Sequence, residues 1–343
     1  MKHKWQSPLF FERNRVGRVY TGGALFAELF GDAPQDGFFP EEWIASSVEA
    51  LNESSQGERE GVSRLRGEGI FLDDLLKEAP EEYLGPQGKL RILVKGLDSA
   101  IRLPAQVHPD KAFSRKYFHS EYGKTECWLV LGKRPGAKIY FGFRPGVTLG
   151  DLENAVVRSE EDPTAMEGLL EWIEPEVGGV YLVPARTVHA IGAGCLILEV
   201  QEPTDFTIQP ERYCGDYRLS DREMYLGLPK ETALSCFDLA RAPEPGVTPR
   251  LISCREGVRQ EVLIDEAQTD CFVIHRYQLS GGRVMLNVAD SYGIYIVTEG
   301  EGELSALGGE ERYALKKGDY FLLPFGAMGK YTVSGNLTLV ECY

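Results

Sequence analysis

Residues 177–184 read VGGVYLVP, and residues 317–324 read KGDYFLLP. Each segment places a turn glycine in front of a short β-type strand that ends in proline. The shared spacing predicts two copies of one β-barrel and therefore a mainly β fold. Five residues after the proline, the first copy has His189 and the second copy has Gly329. We therefore expect only the first barrel to bind a metal ion.

Short β-type runs separated by glycine and proline surround both segments, but two stretches, about 55–88 and 148–175, show helical spacing. The first stretch carries one apolar helical face, formed by Phe71, Leu72, Leu75 and Leu76. The second opens on the capping-box pair Thr148 and Asp151. Its later apolar face is formed by Met166, Leu169, Leu170 and Ile173. We predict that both stretches are helical insertions packed beside a β core.

These patterns divide the chain into three parts. Residues 1–230 are the expected metal-binding barrel domain with both insertions, and residues 231–250 are a connector that contains several prolines. Residues 251–343 resume the strand pattern as a second β domain without metal ligands, since His275 is their only histidine. We expect this second domain to supply structure and an interface, so that its deletion mainly harms solubility or stability.

The bulk composition argues against several classes of protein. The 343 residues contain 37 Lys and Arg against 52 Asp and Glu, and this net charge of −15 argues against a nucleic-acid surface but allows a small anionic ligand. The sequence has no apolar run that could span a membrane and no secretory signal at its start. Its seven cysteines are scattered without a CxxC pair, which favours a reducing compartment. We expect a cytoplasmic protein without membrane or nucleic-acid partners; the oligomeric state stays open.

Four residues in three strand-like segments have the side chains of a metal site: Gln106, His108, Glu126 and His189. Gln106 and His108 are two positions apart, so both point to the same face of a strand. Glu126 precedes an apolar run, where a carboxylate is costly unless it is paired or metal-bound. Two imidazoles, a carboxylate and an amide suit a catalytic zinc or similar divalent ion that keeps one position open for substrate. We predict that these side chains converge on one ion inside the first barrel.

Basic residues accompany the candidate ligands in a chain of net charge −15. Lys95 ends the strand before the first ligand segment. Lys111 follows His108 by three residues, and Arg186 stands three residues before the last candidate ligand. Further cations near the glutamate segment are Lys124, Lys133, Arg134 and Lys138. This concentration of positive charge predicts a small anionic substrate.

The ligand segments belong to a longer ordered series of motifs. The series consists of PEEWIASSVE (40–49), LVK (93–95), QVHPDK (106–111), GKTECW (123–128), PARTVHA (184–190) and LEVQE (198–202). Together these motifs resemble the type I phosphomannose isomerase family, a zinc-dependent branch of the cupins, over most of the first 230 residues. The resemblance implies two cupin-type jelly-roll barrels with helical insertions, one Zn²⁺ or other divalent ion per chain, and a small phosphorylated sugar as partner.

The resemblance also implies an activity and a ligand set. The activity is the interconversion of mannose 6-phosphate and fructose 6-phosphate, in which a proton moves between C1 and C2 of the open-chain sugar. The family's metal ligands carry over to Gln106, His108, Glu126 and His189. A base must move the proton, and Lys95, Lys133 and a metal-bound water are the alternatives.

Four further residues are candidates for contacts with the sugar phosphate. Lys111 and Arg186 supply positive charge near the ligands, and we assign the phosphate group to them. Trp43 and Ser46 belong to the segment 40–49 that resembles the family, and we expect both to line the pocket.

The chain also departs from the family pattern. Where the family often has an arginine in an Asp-x-Thr-x-Arg pattern, residues 205–209 read DFTIQ, so Gln209 takes its place and Arg212 is the candidate catalytic substitute. Pro104 replaces a serine that is common before the first ligand, and no residue clearly matches the catalytic lysine of longer members. Two alternatives therefore stay open: a metal cupin that binds a sugar without turnover or with another specificity, and an iron-dependent cupin dioxygenase.

Overall fold

The computed structural model describes residues 3–53, 57–241 and 246–343. Its strands are β1 Leu9–Phe10, β2 Arg15–Val16, β3 Glu41–Ile44, β4 Leu93–Asp98, β5 Glu126–Lys133, β6 Ile139–Phe143, β7 Leu170–Ile173, β8 Val180–Val183, β9 His189–Ile191, β10 Cys195–Gln201, β11 Tyr213–Cys214, β12 Tyr217–Arg218, β13 Arg250–Arg255, β14 Val258–Ile264, β15 Ile274–Met285, β16 Gly293–Ala306, β17 Arg312–Lys316, β18 Tyr320–Leu323 and β19 Tyr331–Cys342. Its α-helices are α1 Phe26–Phe30, α2 Leu72–Glu78, α3 Pro80–Leu84, α4 Lys111–Phe118, α5 Leu149–Arg158, α6 Asp221–Tyr225 and α7 Lys230–Leu234. The prediction of a mainly β fold is confirmed, and none of the described helices is long and apolar enough to cross a membrane.

Hydrogen bonds between these strands form two large antiparallel sheets and two small ones. The C-terminal sheet has the strand order β1-β18-β16-β19-β15-β14-β13, with β17 paired to β16. The N-terminal sheet has the order β2-β3-β4-β10-β5-β8, and the small sheet has the order β7-β6-β9. Strands β11 and β12 form a separate hairpin. Strands β5 and β10 therefore lie inside the N-terminal sheet, where pairing on both sides fixes the positions of their side chains.

The two faces of the N-terminal sheet differ in polarity. One face, called the inner face below, carries Glu126, which pairs across the strands with Gln201 and Val183. The next residues along these strands, such as Cys127 and Val200, point to the opposite face because side chains alternate along a strand. That opposite face packs against the C-terminal sheet in one apolar core. The candidate ligand Glu126 therefore lies on the inner face, whereas the opposite face is largely apolar and carries the buried carboxylate Glu42.

The apolar core between the large sheets combines residues from both ends of the chain. Its buried members include Ile44 and Val94 from the N-terminal sheet and Ile294 and Val340 from the C-terminal sheet. Strand β1 adds a second link, because it pairs with β18 at the edge of the C-terminal sheet. Although β1 lies within the predicted first domain, residues 1–230, it pairs with the C-terminal sheet and covers an edge that would otherwise expose unpaired backbone groups.

The two stretches with helical spacing fold differently. The stretch 55–88 contains α2 and α3, and its residues 55 and 56 lie outside the described residues. The stretch 148–175 begins with α5, whose start is capped by reciprocal hydrogen bonds between Thr148 and Asp151. A helical face that extends to residue 173 is wrong, because Leu170–Ile173 is a strand that pairs with β6. Leu170 is buried in this strand. An apolar residue at this position fits a strand as well as a helical face, so the sequence pattern did not distinguish the two.

The predicted connector 231–250 is only partly a loop. It begins within α7 and ends on the first residue of β13, and its residues 242–245 lie outside the described residues. Val247 donates its N–H to the carbonyl of Val180 in β8 at 2.8 Å. The connector therefore passes along the β8 edge of the N-terminal sheet before the C-terminal sheet begins.

The repeated glycine-to-proline segments adopt the same backbone conformation. Gly178 and Gly318 both have a φ of 84°, in the left-handed region that glycine enters without a Cβ clash. Each precedes a strand of four residues, β8 or β18, that ends directly before Pro184 or Pro324. The agreement in conformation and length supports the pairing of the two segments in the sequence.

Hydrogen-bond register extends this correspondence to the candidate ligands. The His189 N–H donates to the Gln106 carbonyl at 2.9 Å, and the Gly329 N–H donates to the Leu286 carbonyl at 2.9 Å. Glu126, the first residue of β5, pairs with the last residue of β8. In the same way Gly293, the first residue of β16, pairs with the last residue of β18. At these positions the C-terminal sheet has leucine or glycine, and a cluster of buried leucine, valine and aromatic side chains fills its own core.

Ending the chain at Pro249, before β13, is expected to abolish folding, a stronger effect than the loss of solubility or stability expected from the sequence. The deletion removes the partner of β1 and the C-terminal half of the shared core. Each large apolar side chain that loses its burial costs about 1.5–3 kcal/mol, and several such losses exceed the typical 5–15 kcal/mol stability of a protein. Thermal unfolding followed by circular dichroism should show no cooperative transition, in contrast with the full chain. A truncated chain that unfolds cooperatively and binds metal would contradict this expectation.

Candidate metal centre

Three buried side chains meet on the inner face of the N-terminal sheet. Glu126 begins β5, His189 begins β9, and His108 lies between β4 and α4. The His108 Nε2 is 3.1 Å from Glu126 Oε2 and 3.1 Å from His189 Nε2, and the His189 Nε2 is 3.2 Å from Glu126 Oε1. No more than 1% of any of these residues is exposed. The fold thus brings together three candidate ligands that are separated by up to 81 positions in the chain.

Backbone carbonyls orient both imidazoles. The His108 Nδ1 lies 2.9 Å from the carbonyl of Phe206, and the His189 Nδ1 lies 2.9 Å from the carbonyl of Thr187. Since a carbonyl only accepts, Nδ1 carries the proton in each ring and Nε2 carries the lone pair. Both lone pairs point into the cluster. Burial, together with the nearby Lys124 ammonium, lowers the pKa of His108 to about 3 and keeps its imidazole neutral.

Glu126 is a fully buried carboxylate, and neither of its oxygens accepts a hydrogen bond. The Lys124 Nζ lies 3.3 Å from Glu126 Oε2 and 2.8 Å from His108 Nε2. Burial by itself would raise the pKa of Glu126, but Lys124 and the two imidazoles outweigh burial and hold that pKa well below its usual range. The carboxylate is therefore ionised and available as a ligand.

Gln106 is the fourth donor of the cluster. Its Nε2 lies 3.2 Å from His189 Nε2, and the two backbones exchange a pair of hydrogen bonds of 2.9 Å. An amide coordinates a metal through its oxygen, and the two ends of an amide have nearly the same shape. Rotation of the Gln106 amide by half a turn would present Oε1 to the cluster.

The spacing and chemistry of these donors fit a divalent ion such as zinc. Four ligand atoms about 2.0–2.1 Å from a tetrahedral zinc lie roughly 3.3 Å from one another. The separations within the cluster, 3.1–3.2 Å, are close to that value. An ion would also engage the Glu126 oxygens, which accept no hydrogen bond. In the part of the chain that the structure describes, His108, Glu126 and His189 are the one group of three or more His, Cys, Asp or Glu side chains with this arrangement.

A row of charged and aromatic side chains continues from the cluster across the inner face. Cross-strand pairing aligns Trp43, Lys95, Glu199 and Trp128. The Lys95 Nζ lies 3.3 Å from Glu199 Oε1, 3.7 Å from Glu41 Oε2 and 4.9 Å from the centre of the Trp43 ring. Burial raises the pKa of Glu199, and the negative charge of Glu126 raises it further. The row therefore places a carboxyl group of raised pKa beside a buried lysine, near the metal donors.

Arg18 holds the other end of this row. Its guanidinium lies 3.0 Å from Glu41 Oε1 and donates to both oxygens of Asp205 at 3.1 and 3.2 Å. The Tyr20 hydroxyl donates to Glu41 at 2.6 Å. Although burial opposes ionisation, Arg18 and Lys95 hold the pKa of Glu41 far below its usual range. The row is thus a network of paired buried charges rather than a set of isolated ones.

Comparison with known proteins assigns this arrangement to a family. Residues 266–343 match the family model described as mannose-6-phosphate isomerase, cupin domain. The mannose-6-phosphate isomerase ManA of Bacillus subtilis (strain 168) is 32% identical over 278 residues, which cover 78% of this chain and 81% of ManA. The chain belongs to the mannose-6-phosphate isomerase family. The family resemblance predicted from the ligand segments is therefore confirmed.

Solved structures of mannose-6-phosphate isomerases share this fold. One from Bacillus subtilis matches with a TM-score of 0.78 and 26% identity, covering 98% of this chain and 100% of that one. Another, described as mannose 6-phosphate isomerase in a zinc-bound holo form, matches with a TM-score of 0.70 and 17% identity over 98% of this chain and 99% of that one. At this lower identity the second match shows the fold alone, and the common fold includes both large sheets.

Trp43 and Ser46, which we expected to line the pocket of this isomerase-family chain, are both buried. Trp43 belongs to the inner-face row, and its Nε1 donates to Glu41 Oε2 at 2.6 Å. Ser46 instead shapes the loop after β3. Its Oγ accepts from the Val48 N–H at 3.0 Å, and its own N–H donates to Ser63 Oγ at 2.9 Å. Trp43 is thus near the site, whereas the described contacts of Ser46 are local.

Lys111 and Arg186 flank the cluster and keep 34% and 38% of their side chains exposed. The Arg186 N–H donates to the His108 carbonyl at 2.7 Å, so its backbone is directly attached to a ligand residue. Its guanidinium Nε donates to the Cys236 carbonyl at 3.1 Å. The Lys111 Nζ lies 3.0 Å from Asp270 Oδ2. Both side chains thus stay about one-third exposed while each contacts a neighbouring residue.

Lys133 lies at the far end of β5 and Arg212 makes its ion pairs with Glu160 and Asp221, so the described contacts join neither residue to the candidate ligands. Lys133 ends β5, seven positions beyond Glu126 and thus roughly 23 Å along the strand, and it pairs with Glu174 at 2.6 Å. Arg212 pairs with Glu160 at 2.8 Å and serves the segment near α5. Lys133 follows the glutamate segment closely in the chain, but an extended strand carries each successive residue further from Glu126.

Gln209, at the position where the isomerase family often has arginine, has a structural contact. Its Nε2 donates to the Glu223 carbonyl at 3.1 Å, and its N–H donates to the Met224 carbonyl at 2.8 Å. Both carbonyls belong to α6. Gln209 therefore ties α6 to the segment that follows β10.

Two residues of the site, Lys124 and Glu199, were not assigned a role in the sequence analysis. Lys124 precedes Glu126 by two positions, so the alternation that aligned Gln106 with His108 also aligns Lys124 with Glu126. Glu199 interrupts the apolar run LILEV, where a carboxylate is costly without a partner, as for Glu126. The same two arguments, applied to every strand, would have identified both residues.

Proposed function

We propose that the chain interconverts mannose 6-phosphate and fructose 6-phosphate as a metal-dependent isomerase. One observation carries the proposal: His108, Glu126 and His189 bring their ligand atoms to within 3.1–3.2 Å of one another in a buried cluster. The family membership supports the substrate pair, because ManA, at 32% identity, is a mannose-6-phosphate isomerase.

We assign one metal ion to Gln106, His108, Glu126 and His189, with zinc as the first candidate. Nitrogen and oxygen donors with one position left for substrate are typical of catalytic zinc, and one solved isomerase of this fold is described as zinc-bound. An ion held by these four side chains would supply Lewis-acid chemistry at the sugar carbonyl. The carbonyls of Phe206 and Thr187 keep both imidazoles in the tautomer that such an ion requires.

We assign the proton transfer to the pair of Glu199 and Lys95. Isomerisation needs a base that removes a proton from one carbon and returns it to the next. Burial raises the pKa of Glu199, which suits a carboxyl group that both accepts and releases a proton. Lys95, 3.3 Å away, holds the carboxylate in place. Lys124, next to two ligands, adds positive charge where negative charge develops on the sugar.

We assign the phosphate group to Lys111 and Arg186. Both are cationic, both keep about a third of the side chain exposed, and Arg186 is bonded through its backbone to His108. A phosphate held there keeps the sugar chain directed towards the metal donors. This assignment needs no cation at Gln209.

We propose that the two large sheets belong to two cupin-type jelly-roll barrels, the first of which binds the metal. The equal φ angles of Gly178 and Gly318 and the matching hydrogen-bond register support a duplicated unit. In this division the metal-binding barrel is formed by residues 1–230 without β1, and 231–250 connect it to the second barrel, 251–343, which receives β1.

A sugar-binding metal cupin without turnover, or with another specificity, is the second candidate function. It is favoured by Gln209, whose side chain binds α6 at the position where the family often has a cation. In this alternative the metal cluster holds a sugar phosphate, and the row of Lys95 and Glu199 only orients it.

The isomerase proposal predicts that turnover depends on the metal. Full-length protein dialysed against a chelator should lose the conversion of mannose 6-phosphate to fructose 6-phosphate and regain it with Zn²⁺. Zn²⁺ should also stabilise the metal-free protein, by about 2.7 kcal/mol at a free concentration one hundred times its Kd. Activity that survives complete metal removal would contradict the mechanism. Tight binding of mannose 6-phosphate without product would favour the second candidate, and bound iron with oxygen uptake would favour a dioxygenase.

A further inference from the structure

Buried polar atoms without partners are concentrated around the metal donors. Eight buried side-chain nitrogen and oxygen atoms of the described residues make no hydrogen bond. Five of the eight belong to β5, to β10 or to the turn before β9: Glu126 Oε1, Glu126 Oε2, Trp128 Nε1, Thr187 Oγ1 and Gln201 Oε1. The metal accounts for the two Glu126 atoms but not for the indole nitrogen or the amide oxygen.

Trp128 and Gln201 lie on the same face as the metal donors. Trp128 follows Glu126 by two positions along β5, and Gln201 is the direct partner of Glu126 on β10. Both arrangements place a side chain on the face that carries Glu126. The Trp128 ring also meets the His189 ring edge to face, with 5.5 Å between their centres.

The surroundings of both side chains hold the free atoms in a fixed orientation. The Trp128 ring packs in an apolar cluster and lies 6.1 Å from the ring of Phe141. The Gln201 Nε2 donates to the carbonyls of Glu202 at 2.9 Å and Thr204 at 2.6 Å. Since these carbonyls only accept, the amide cannot turn over, and Oε1 stays without a donor. A buried polar atom that lacks a partner destabilises the free protein, so its retention beside a binding site indicates a ligand.

We propose that Trp128 and Gln201 bind hydroxyl groups of the sugar, with the indole N–H donating to one hydroxyl oxygen and the amide oxygen accepting a hydroxyl hydrogen. A neutral donor and a neutral acceptor suit a polyol and not a phosphate group. C1 and C2 of the substrate react and C6 carries the phosphate, which leaves the hydroxyls at C3, C4 and C5; the two nearest to the reacting carbons, at C3 and C4, are the ones assigned. This inference rests on the proposed function for the identity of the sugar.

The test compares wild type with Trp128→Phe on mannose 6-phosphate and on its 3-deoxy and 4-deoxy analogues. On mannose 6-phosphate the variant should lose roughly five- to tenfold in kcat/KM, mostly through KM, as expected for one neutral hydrogen bond. On one of the two deoxy sugars that loss should disappear, because the wild type has already lost the same bond. The smaller ring also leaves a gap, but a packing defect lowers kcat/KM by the same factor on all three sugars.

Phe141→Leu is the matched control, because it disturbs the packing of the Trp128 ring and removes no polar atom. Its loss should be equal on the three sugars. Gln201→Met should lower kcat/KM on mannose 6-phosphate but not on the second deoxy sugar, the one on which Trp128→Phe keeps its effect. Cooperative unfolding of Gln201→Met checks that this variant is folded. A Trp128→Phe loss that is equal within twofold on all three sugars overturns the inference while leaving the isomerase proposal intact.

If the wild type turns over none of the sugars, the proposed isomerase function fails, and calorimetric Kd values replace kcat/KM in the same comparison. The inference is then still supported if Trp128→Phe weakens the binding of mannose 6-phosphate but not the binding of the deoxy analogue that lacks the bonded hydroxyl. Equal weakening of all three sugars, or no binding of any, overturns it.

Discussion

Replacing His108 with alanine is expected to remove the bound metal and to lower kcat by on the order of 10³-fold or more, since the Lewis-acid contribution of an ion is several kcal/mol. The His108 Nε2 lies 3.1 Å from donors of both Glu126 and His189, so its loss opens the cluster on two sides. Metal content measured by mass spectrometry should fall to well under one ion per chain, and kcat should be measured on the same sample.

His119→Asn is the matched control for this variant. His119 is exposed and caps the end of α4 with a φ of 54°, a conformation that asparagine tolerates. It should keep the metal and the full kcat. Retention of both by His108→Ala would refute the ligand assignment. Loss of the metal with kcat unchanged would instead show that the reaction does not use it.

Glu199→Gln is expected to lower kcat by about 10²–10⁴-fold with little change in KM, as expected when a general base is lost. The amide keeps the shape of the side chain and a donor for nearby acceptors, but it does not accept a proton. Lys95 then loses the nearer of its two carboxylate partners and keeps Glu41 at 3.7 Å. Stopped-time assays at saturating mannose 6-phosphate, with metal content checked in parallel, measure the effect.

The pH dependence of kcat supplies an independent reading of Glu199. Burial raises its pKa, and the base must be deprotonated to act. Activity should therefore fall as pH drops through this raised pKa, so the acid limb lies above the value of about 4.3 for an ordinary glutamate. In Glu199→Gln this limb should vanish from the residual activity. An acid limb that is unchanged in the variant would exclude Glu199 as its origin.

The C-terminal sheet offers a register-matched control, Glu341→Gln. Glu341 is buried, accepts from the Tyr295 hydroxyl at 2.7 Å and lies 2.8 Å from His275 Nδ1, on strands that correspond to those of Glu199 and its partners. Its replacement should leave kcat unchanged and lower the free energy of unfolding by about 1–3 kcal/mol. A large loss of kcat in Glu341→Gln would mean that removal of any buried carboxylate harms catalysis indirectly.

The candidate ligand cluster was open to prediction from the sequence because the arguments for it are local. Gln106 and His108 share a strand face at a spacing of two, and Glu126 interrupts an apolar strand at a cost that a metal would offset. The mainly β fold followed from short runs between glycine and proline. These inferences need only the period of a strand and the chemistry of single side chains, so they do not depend on where each strand lies.

The errors have a different origin, which is distance in the folded chain. Lys133 is close to Glu126 in sequence but lies at the opposite end of β5, paired with Glu174. Lys124, two residues before the same glutamate, contacts two candidate ligands, His108 and Glu126. Leu170–Ile173 has helical spacing, yet it pairs as a strand. In each case a neighbour that is remote in the chain decided the outcome.

By itself, the sequence determined the mainly β class of fold, and it predicted the donor types of a metal site and the restriction of that site to one of two similar β units. His189 in the first unit and Gly329 in the second already separate them. Only the tertiary structure decided that β1 joins the C-terminal sheet and that Lys95 and Glu199 meet beside the cluster. The physical reason is that strand pairing selects partners across long stretches of chain, and the local period of two carries no information about which strands become neighbours.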